Sequence, residues 1–313
     1  MPRRITAVGS AAIALAIVPA STGWADVEVR TDLRPGALVR EHGVGVVVPG
    51  PGQFVTSEAL SEDGARMITA HTRQDGTVLV STAGGAADDD MTVMEPPLGR
   101  AIPACDDPAR TFMAWSWSHG KPVRWRSNFR WWFRSSTTPT YMNVDYARAA
   151  ISRAVQNIVS ADNDCGWLDT VDATSDFGGD TTQFATNMAT DGLCVTPDGV
   201  SVVAFGTLPA GTYAGTCVWG IDEGDAYGRI TSSDVRVNKA SYTWYAVKPS
   251  DCQTRNSVEA VLTHEFGHTF GLGHVGPEDT HGWLTMSTQF NGPCQSSEST
   301  LGLGDLNGLF ELY

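Results

Sequence analysis

Between His264 and His274 the chain reads His-Glu-Phe-Gly-His-Thr-Phe-Gly-Leu-Gly-His. Residues four apart on a helix stand one turn above each other, so His264 and His268 can aim neutral ring nitrogens at one ion. Gly271 tolerates a positive φ, which lets the helix end abruptly and the chain turn back so that His274 supplies a third ligand. Three histidines with one exchangeable position describe a catalytic zinc rather than a structural one. Zinc lowers the pKa of a bound water to roughly 7 and polarises a carbonyl. Glu265, beside the first ligand, is the natural base: it would take the proton of that water and deliver it to the leaving amine. The chemistry expected is hydrolysis of a peptide bond. A bare H-E-x-x-H occurs by chance in many helices; the added glycine and third histidine make this set specific. His42, His71, His119 and His281 form no comparable cluster, although His281 lies near enough in sequence to touch a substrate.

These residues need a helix, and a helix is expected to begin near Ser257 and to carry the motif. A second amphipathic helix is expected from Val144 to Ser160, because Ala147, Ala150, Ile151, Ala154, Val155, Ile158 and Val159 recur at steps of three and four. Val123 to Phe133 alternates, with Val123, Trp125, Phe129, Trp131 and Phe133 on one parity and Arg124, Arg126 and Arg130 on the other, which predicts a strand buried on one face. Val200–Phe205, Tyr213–Trp219, Asp234–Val237 and Tyr242–Val247 read as further strands between turn formers. From Asp26 to about Thr82 short strand-like runs such as Val44–Val48 and Thr77–Val80 suggest a small β-rich unit. The composition then shifts to Gly, Ala, Asp and Pro between Ala83 and Pro103, a linker signal. The expected organisation is a signal peptide over 1–25, an N-terminal propeptide or accessory region over 26–104 and a catalytic domain over 105–313. There are no internal repeats.

The 313 residues are 42% hydrophobic and 18% charged, enough for a substantial core. Arg3 and Arg4, the apolar run Ile5–Val18 and the small residues after it have the form of a removable secretory signal, with cleavage near Val18-Pro19-Ala20 or Gly23-Trp24-Ala25. The expected location is extracellular. The acidic balance, 21 basic against 35 acidic residues, argues against nucleic acid or an acidic membrane as partner. Cys105, Cys165, Cys194, Cys217, Cys252 and Cys294 include no C-x-x-C pair. In an exported chain they are disulfide candidates rather than zinc ligands. Six cysteines allow fifteen pairings; joining sequence neighbours gives Cys105 with Cys165, Cys194 with Cys217 and Cys252 with Cys294.

With its extended zinc motif, the chain resembles the metzincin proteases. Met286, in Leu284-Thr285-Met286-Ser287, matches the methionine turn that lies beneath the metal in that family. The segment Leu301–Tyr313 resembles the closing helix of matrixin catalytic domains, and Asp234–Asn238 one of their sheet strands, so the likeness is greatest to secreted bacterial matrixin-like proteases and spans about Cys105 to Tyr313. The resemblance implies an α/β (α+β) zincin catalytic domain: a twisted mixed sheet, an active-site helix and a methionine turn, with a protein or peptide substrate extended along the sheet edge. Gly271 and Met286 would support the site, and loops around Trp283–Gly292 would shape specificity.

There are departures from the family. The ligands of a second, structural zinc are not found, so one zinc is expected. Calcium is common in the family, and Asp162, Asp164, Asp222 and Asp225 could offer oxygens. Thr288 stands where some metzincins have a zinc-contacting tyrosine. Pro103–Pro108 resembles the cysteine segment of matrixin propeptides, whose thiolate fills the open zinc position. Using Cys105 that way would leave another cysteine unpaired, and a disulfide is the expectation. Two rival functions stand beside the endopeptidase: a zinc-holding binding protein of the same fold, and a zinc hydrolase of a non-peptide amide.

Overall fold

A computed structural model describes residues 27–41, 43–84, 102–116, 121–224, 226–276 and 281–313. The signal-like segment, most of the 83–103 linker, His42, His119 and Asp225 lie outside the described residues.

The architecture is mixed α/β with a core that is mostly sheet. In the N-terminal part, β1 (Val27–Arg30), β4 (Gln53–Ser61), β5 (Arg66–Thr72) and β6 (Val78–Gly84) form an antiparallel set, while β2 (Leu38–Glu41) and β3 (Val44–Val47) make a hairpin that pairs with β11 (Leu193–Cys194). The larger part contributes β9 (Phe129–Phe133), β10 (Ser175–Asp180), β12 (Ser201–Gly206), β13 (Thr212–Ile221) and β14 (Gly228–Asn238). The main sheet runs β1-β6-β5-β4-β13-β14-β12-β9-β10, and the short pair β7 (Ala114–Ser116) and β8 (Lys121–Arg124) joins it on β14. Strands β14, β12, β9 and β10 are parallel neighbours; β13 is antiparallel to β14. A separate small ladder pairs β15 (Trp244–Tyr245) with β16 (Asn256–Ser257).

The N-terminal strands therefore continue the sheet of the larger part. Strand β4 lies antiparallel along the edge of β13, with Glu58 opposite Thr216 and Ser57 opposite Cys217. Further ties reinforce this seam: the Ser57 hydroxyl donates to Gly192 O at 2.9 Å and Ala65 N–H to Thr288 O at 2.8 Å.

Helix α1 (Val144–Val159) begins at Asn143, whose side chain accepts from the N–H groups of Asp145 and Tyr146. Its buried face is the one expected from spacing, Ala147, Ala150, Ile151, Ala154, Val155 and Ile158. Helix α2 (Val258–Thr269) is capped by Ser257 and is buried nearly all round, the character of a helix inside a core rather than on a surface. Asn157 joins the two helices through Thr263 Oγ1 at 3.1 Å, and Phe266 and Phe270 pack against Phe129 at ring separations of 6.1 and 5.4 Å. Helix α3 (Leu303–Leu312) closes the chain.

The alternating run Val123–Phe133 is two strands, not one. Trp125 and Phe129 are buried on the expected parity, but β8 ends at Arg124 and β9 starts at Phe129, and the four residues Trp125–Asn128 between them bend at Arg126 and Ser127. Tyr242–Val247 contributes only the two residues of β15. Three disulfides join Cys105 to Cys165, Cys194 to Cys217 and Cys252 to Cys294. This is the sequence-neighbour pairing, and it leaves no sulfur of Cys105 for a metal. Such bridges are compatible with an extracellular protein, and no described helix is long and apolar enough to cross a membrane.

Candidate metal centre

Helix α2 carries His264, Glu265 and His268 on its buried length, and the chain leaves it through Gly271 at φ +97°. A Cβ there would meet Val123 O at 2.1 Å, so both the backbone angle and the close approach require glycine. The helix exit is held from the far end of the sequence. Tyr313 Oη donates to Phe270 O and accepts from Trp125 N–H, each at 3.1 Å, while Trp125 Nε1 donates to Thr269 O at 2.8 Å. The reversal brings His274 back onto the helix.

The three imidazoles converge. Nε2 of His268 lies 3.1 Å from that of His264 and 2.9 Å from that of His274, and the remaining pair is 3.2 Å apart. Their other nitrogens fix the tautomers. His264 Nδ1 stands 2.7 Å from Thr285 O and His268 Nδ1 2.9 Å from Leu272 O. A carbonyl only accepts, so both Nδ1 atoms carry the proton and both Nε2 lone pairs point at each other. That arrangement is repulsive unless a cation lies between the lone pairs. Burial also holds the rings neutral, pushing His264 and His274 down to about 3 and His268 well below its ordinary value.

A fourth group enters from a strand that spacing did not connect to the motif. Glu58, on β4, brings Oε1 to 3.2 Å from His274 Nε2, 3.7 Å from His268 Nε2 and 4.0 Å from His264 Nε2. Its side chain is 1% exposed; no hydrogen bond of ordinary geometry reaches either carboxyl oxygen, and its polar neighbours besides the histidines are the Glu265 carboxyl and the Thr216 backbone. An unpartnered buried carboxylate is expensive unless a cation balances it. Glu58, His264, His268 and His274 form a set of metal-type ligand atoms all within 4.8 Å of one another. Nitrogen and oxygen ligands sharing a tetrahedral ion at ~2.0–2.1 Å stand about 3.3 Å apart, close to the three histidine separations and the Glu58–His274 one, while Glu58 stands farther from His268 and His264. The donor set could therefore hold a metal ion. Among the described residues it is the one group of three or more such side chains.

Glu265 faces the same place from the helix. Its Oε2 accepts from the Thr216 hydroxyl on β13, and its Oε1 is buried without a partner. Burial raises its pKa well above the ordinary carboxylate value, and the neighbouring Glu58 carboxyl raises it further; burial pushes Glu58 itself up to about 8.

Met286 lies below the helix. A Cβ on Gly267 would stand 2.1 Å from Met286 Sδ, so the absent side chain at Gly267 is what lets the methionine approach. Asp305 of α3 sets the turn that carries it. One carboxyl oxygen accepts from Thr285 N–H at 2.9 Å and Gly302 N–H at 3.0 Å, the other from Met286 N–H at 3.2 Å. Thr285 in turn offers its carbonyl to His264, so Asp305 positions the first ligand through one peptide unit.

His281 does not reach the centre as a ligand; its Nδ1 is 2.8 Å from the buried Asp107 carboxylate. His71 is buried 4.0 Å from Asp222. Of the calcium candidates, Asp164 accepts from the Thr300 hydroxyl and Asp222 from Gly224 N–H, and neither they nor Asp162 belong to a ligand group. Glu58 had one possible sequence signal: it is the sole charged residue in Gln53–Ser61. Nothing in spacing ties it to a motif so far along the chain. No protein-family model matches this sequence, and no curated protein matches it as a relative.

Proposed function

We propose that this protein is a zinc-dependent endopeptidase in which Glu265 acts as the general base. The observation that carries the reading is Glu265 itself: a fully buried carboxyl held by the Thr216 hydroxyl, beside three histidines whose Nε2 atoms converge. A carboxyl retained there against the cost of burial has chemical rather than packing value. His264, His268 and His274 would hold the ion, which when bound supplies Lewis-acid polarisation and an acidified water. Glu265, held by the Thr216 hydroxyl, would accept a proton at Oε1 and return it to the departing amine nitrogen. Strand β13, which carries Thr216, is paired on both sides, by β4 and by β14, so an extended peptide could pair with it only in place of β4. The metzincin-like motif, methionine turn and closing helix support the same reading, as does a signal-like N-terminus for secretion.

One observation favours a second reading. Glu58 completes a four-ligand set, and closed four-ligand sites are typically structural; the chain would then be a zinc-holding binding protein that turns nothing over. The deciding experiment measures zinc content and cleavage of an unfolded protein, before and after limited tryptic digestion with the trypsin then inhibited. Wild type and Glu265→Gln are compared. About one zinc per chain in both, with chelator-sensitive cleavage only in wild type, supports the endopeptidase. Zinc in both with no cleavage in either state supports the binding protein, and absence of zinc overturns the metal centre altogether.

A further inference from the structure

We infer that a second site on this chain, the cavity between the Cys105–Cys165 disulfide and Trp283, binds an arginine side chain of a peptide or protein partner. The inference does not depend on the hydrolytic reading, because none of Glu58, His264, Glu265, His268 and His274 lines this cavity.

Four separate stretches of chain enclose a volume of about 650 Å³. Ala104, the Cys105–Cys165 disulfide, Leu301 and the Trp283 ring supply apolar walls, and Asp164 supplies a carboxylate. These walls are fixed before anything binds. Leu301 N–H donates to Asp162 O at 2.8 Å, which ties the segment before α3 to the loop after α1. Within that loop Asn163 Oδ1 accepts from Cys165 N–H at 3.1 Å and Trp167 N–H at 3.2 Å, while its Nδ2 donates to Asp169 Oδ1 at 2.7 Å. The disulfide then staples the loop to Cys105. A pre-formed cavity spares a ligand the cost of ordering its walls.

The chemistry of the lining selects the occupant. Trp283 is 48% exposed, so its ring is open to contact beside the carboxylate. That pairing suits a planar cation: a guanidinium stacks on an indole face and offers its fork of N–H groups to a carboxylate. Asp164 Oδ2 accepts from the Thr300 hydroxyl at 3.1 Å, a single bond that orients the group and leaves acceptor capacity on it. The surroundings add negative charge: burial pushes Asp162 above its ordinary value, and the carboxylates of Asp169, Asp164 and Glu259 push it further. The chain as a whole has a formal charge of −14, which attracts a basic partner. A hard metal ion fits less well, because Asp164 belongs to no group of converging ligands. A purely apolar side chain would use the walls and cover the Asp164 carboxylate without pairing it. Arginine uses both parts, its methylene stem against the apolar walls and its head against Asp164 and Trp283.

The test uses the full chain with N-acetyl-arginine methylamide as probe and saturation-transfer NMR to read binding. Wild type should give a saturable titration in the millimolar range. The citrulline analogue, which keeps the shape and loses the charge, should bind about tenfold more weakly or worse, and N-acetyl-leucine methylamide likewise. Asp164→Asn keeps an oxygen for the Thr300 hydroxyl and should lower arginine affinity by about tenfold or more. Asp75→Asn removes the same charge from the exposed turn between β5 and β6 and should leave the affinity unchanged. Trp283→Ala, at a half-exposed ring whose loss the fold should tolerate, gives an independent check and should weaken binding about threefold. Equal affinity for the arginine and citrulline compounds, wild-type affinity in Asp164→Asn, or no saturable binding by wild type would each overturn the inference and leave the metal centre untouched.

Discussion

Glu58 Oε1 lies 3.2 Å from His274 Nε2, so a residue of an N-terminal strand joins a group that could hold a metal ion and is otherwise contributed by the motif helix and its exit loop. Strand pairing makes this possible: β4 is registered on β13, and β13 faces α2 through Thr216 and Glu265. Four ligands from two distant segments should make metal binding and folding interdependent.

Metal removal is therefore expected to lower stability measurably. With free zinc near 1,000 times its dissociation constant, binding to the folded state alone contributes about 4 kcal/mol. A chelator should abolish that increment, visible as a fall in thermal midpoint that added zinc reverses. In His268→Ala the chelator should change the midpoint little, because the ligand at the centre of the set is already missing. An equal chelator effect in His268→Ala and wild type would place the metal elsewhere.

Glu265→Gln keeps the size and the contact with Thr216 but cannot take a proton. Loss of a general base reduces turnover by roughly 10²–10⁴-fold, measured on the form competent for cleavage. Zinc content should be unchanged, because Glu265 is not one of the four converging ligands. Comparable cleavage by the variant would remove Glu265 from the base role.

Asp305 links stability to pH. Its carboxyl accepts three backbone N–H groups, yet burial raises its pKa from 3.8 to about 6. A folded-state pKa above the unfolded one means the folded protein binds the proton more tightly. The resulting stabilisation is complete below the unfolded value and is lost as pH rises through the folded one. Asp305→Asn has one acceptor oxygen for donors that now use two, costing about 1–3 kcal/mol for each N–H left unpaired. In urea titrations the gap between wild type and Asp305→Asn should be widest in acid and narrow as pH passes about 6. A gap that widened on raising the pH would reverse the sign assigned to this carboxyl.

Gly267 and Met286 should be coupled. Gly267→Ala drives a Cβ to within 2.1 Å of Met286 Sδ, and overpacking of this kind costs about 1–3 kcal/mol. Shortening the methionine in Gly267→Ala/Met286→Ala makes room, so the double variant should be less destabilised than the sum of the two single changes. Strict additivity in denaturant titrations would mean that the two side chains do not meet.

The convergence of His264, His268 and His274 was legible in the motif because its three histidines are local. Helix periodicity sets His264 against His268, and the glycine turn returns His274, so one short segment encodes most of the geometry. The same holds for α1, whose apolar stripe is written at steps of three and four, and for Ser257 as the cap of α2. The cysteine pairing agreed with sequence order.

The tertiary structure alone decided what lies opposite the ligands. That β4 extends the main sheet, that Glu58 rather than a cysteine faces the histidines, and that Asp305 braces the turn under His264 all depend on contacts between segments far apart in the chain. Strand pairing is not written locally, because backbone donors and acceptors are the same in every residue and register emerges from the whole packed sheet. The single run read from Val123 to Phe133 failed for a related reason: alternation reports which face is buried and carries no mark of where a strand breaks. Local periodicity determined which histidines converge; long-range sheet assembly determined that Glu58 stands against them.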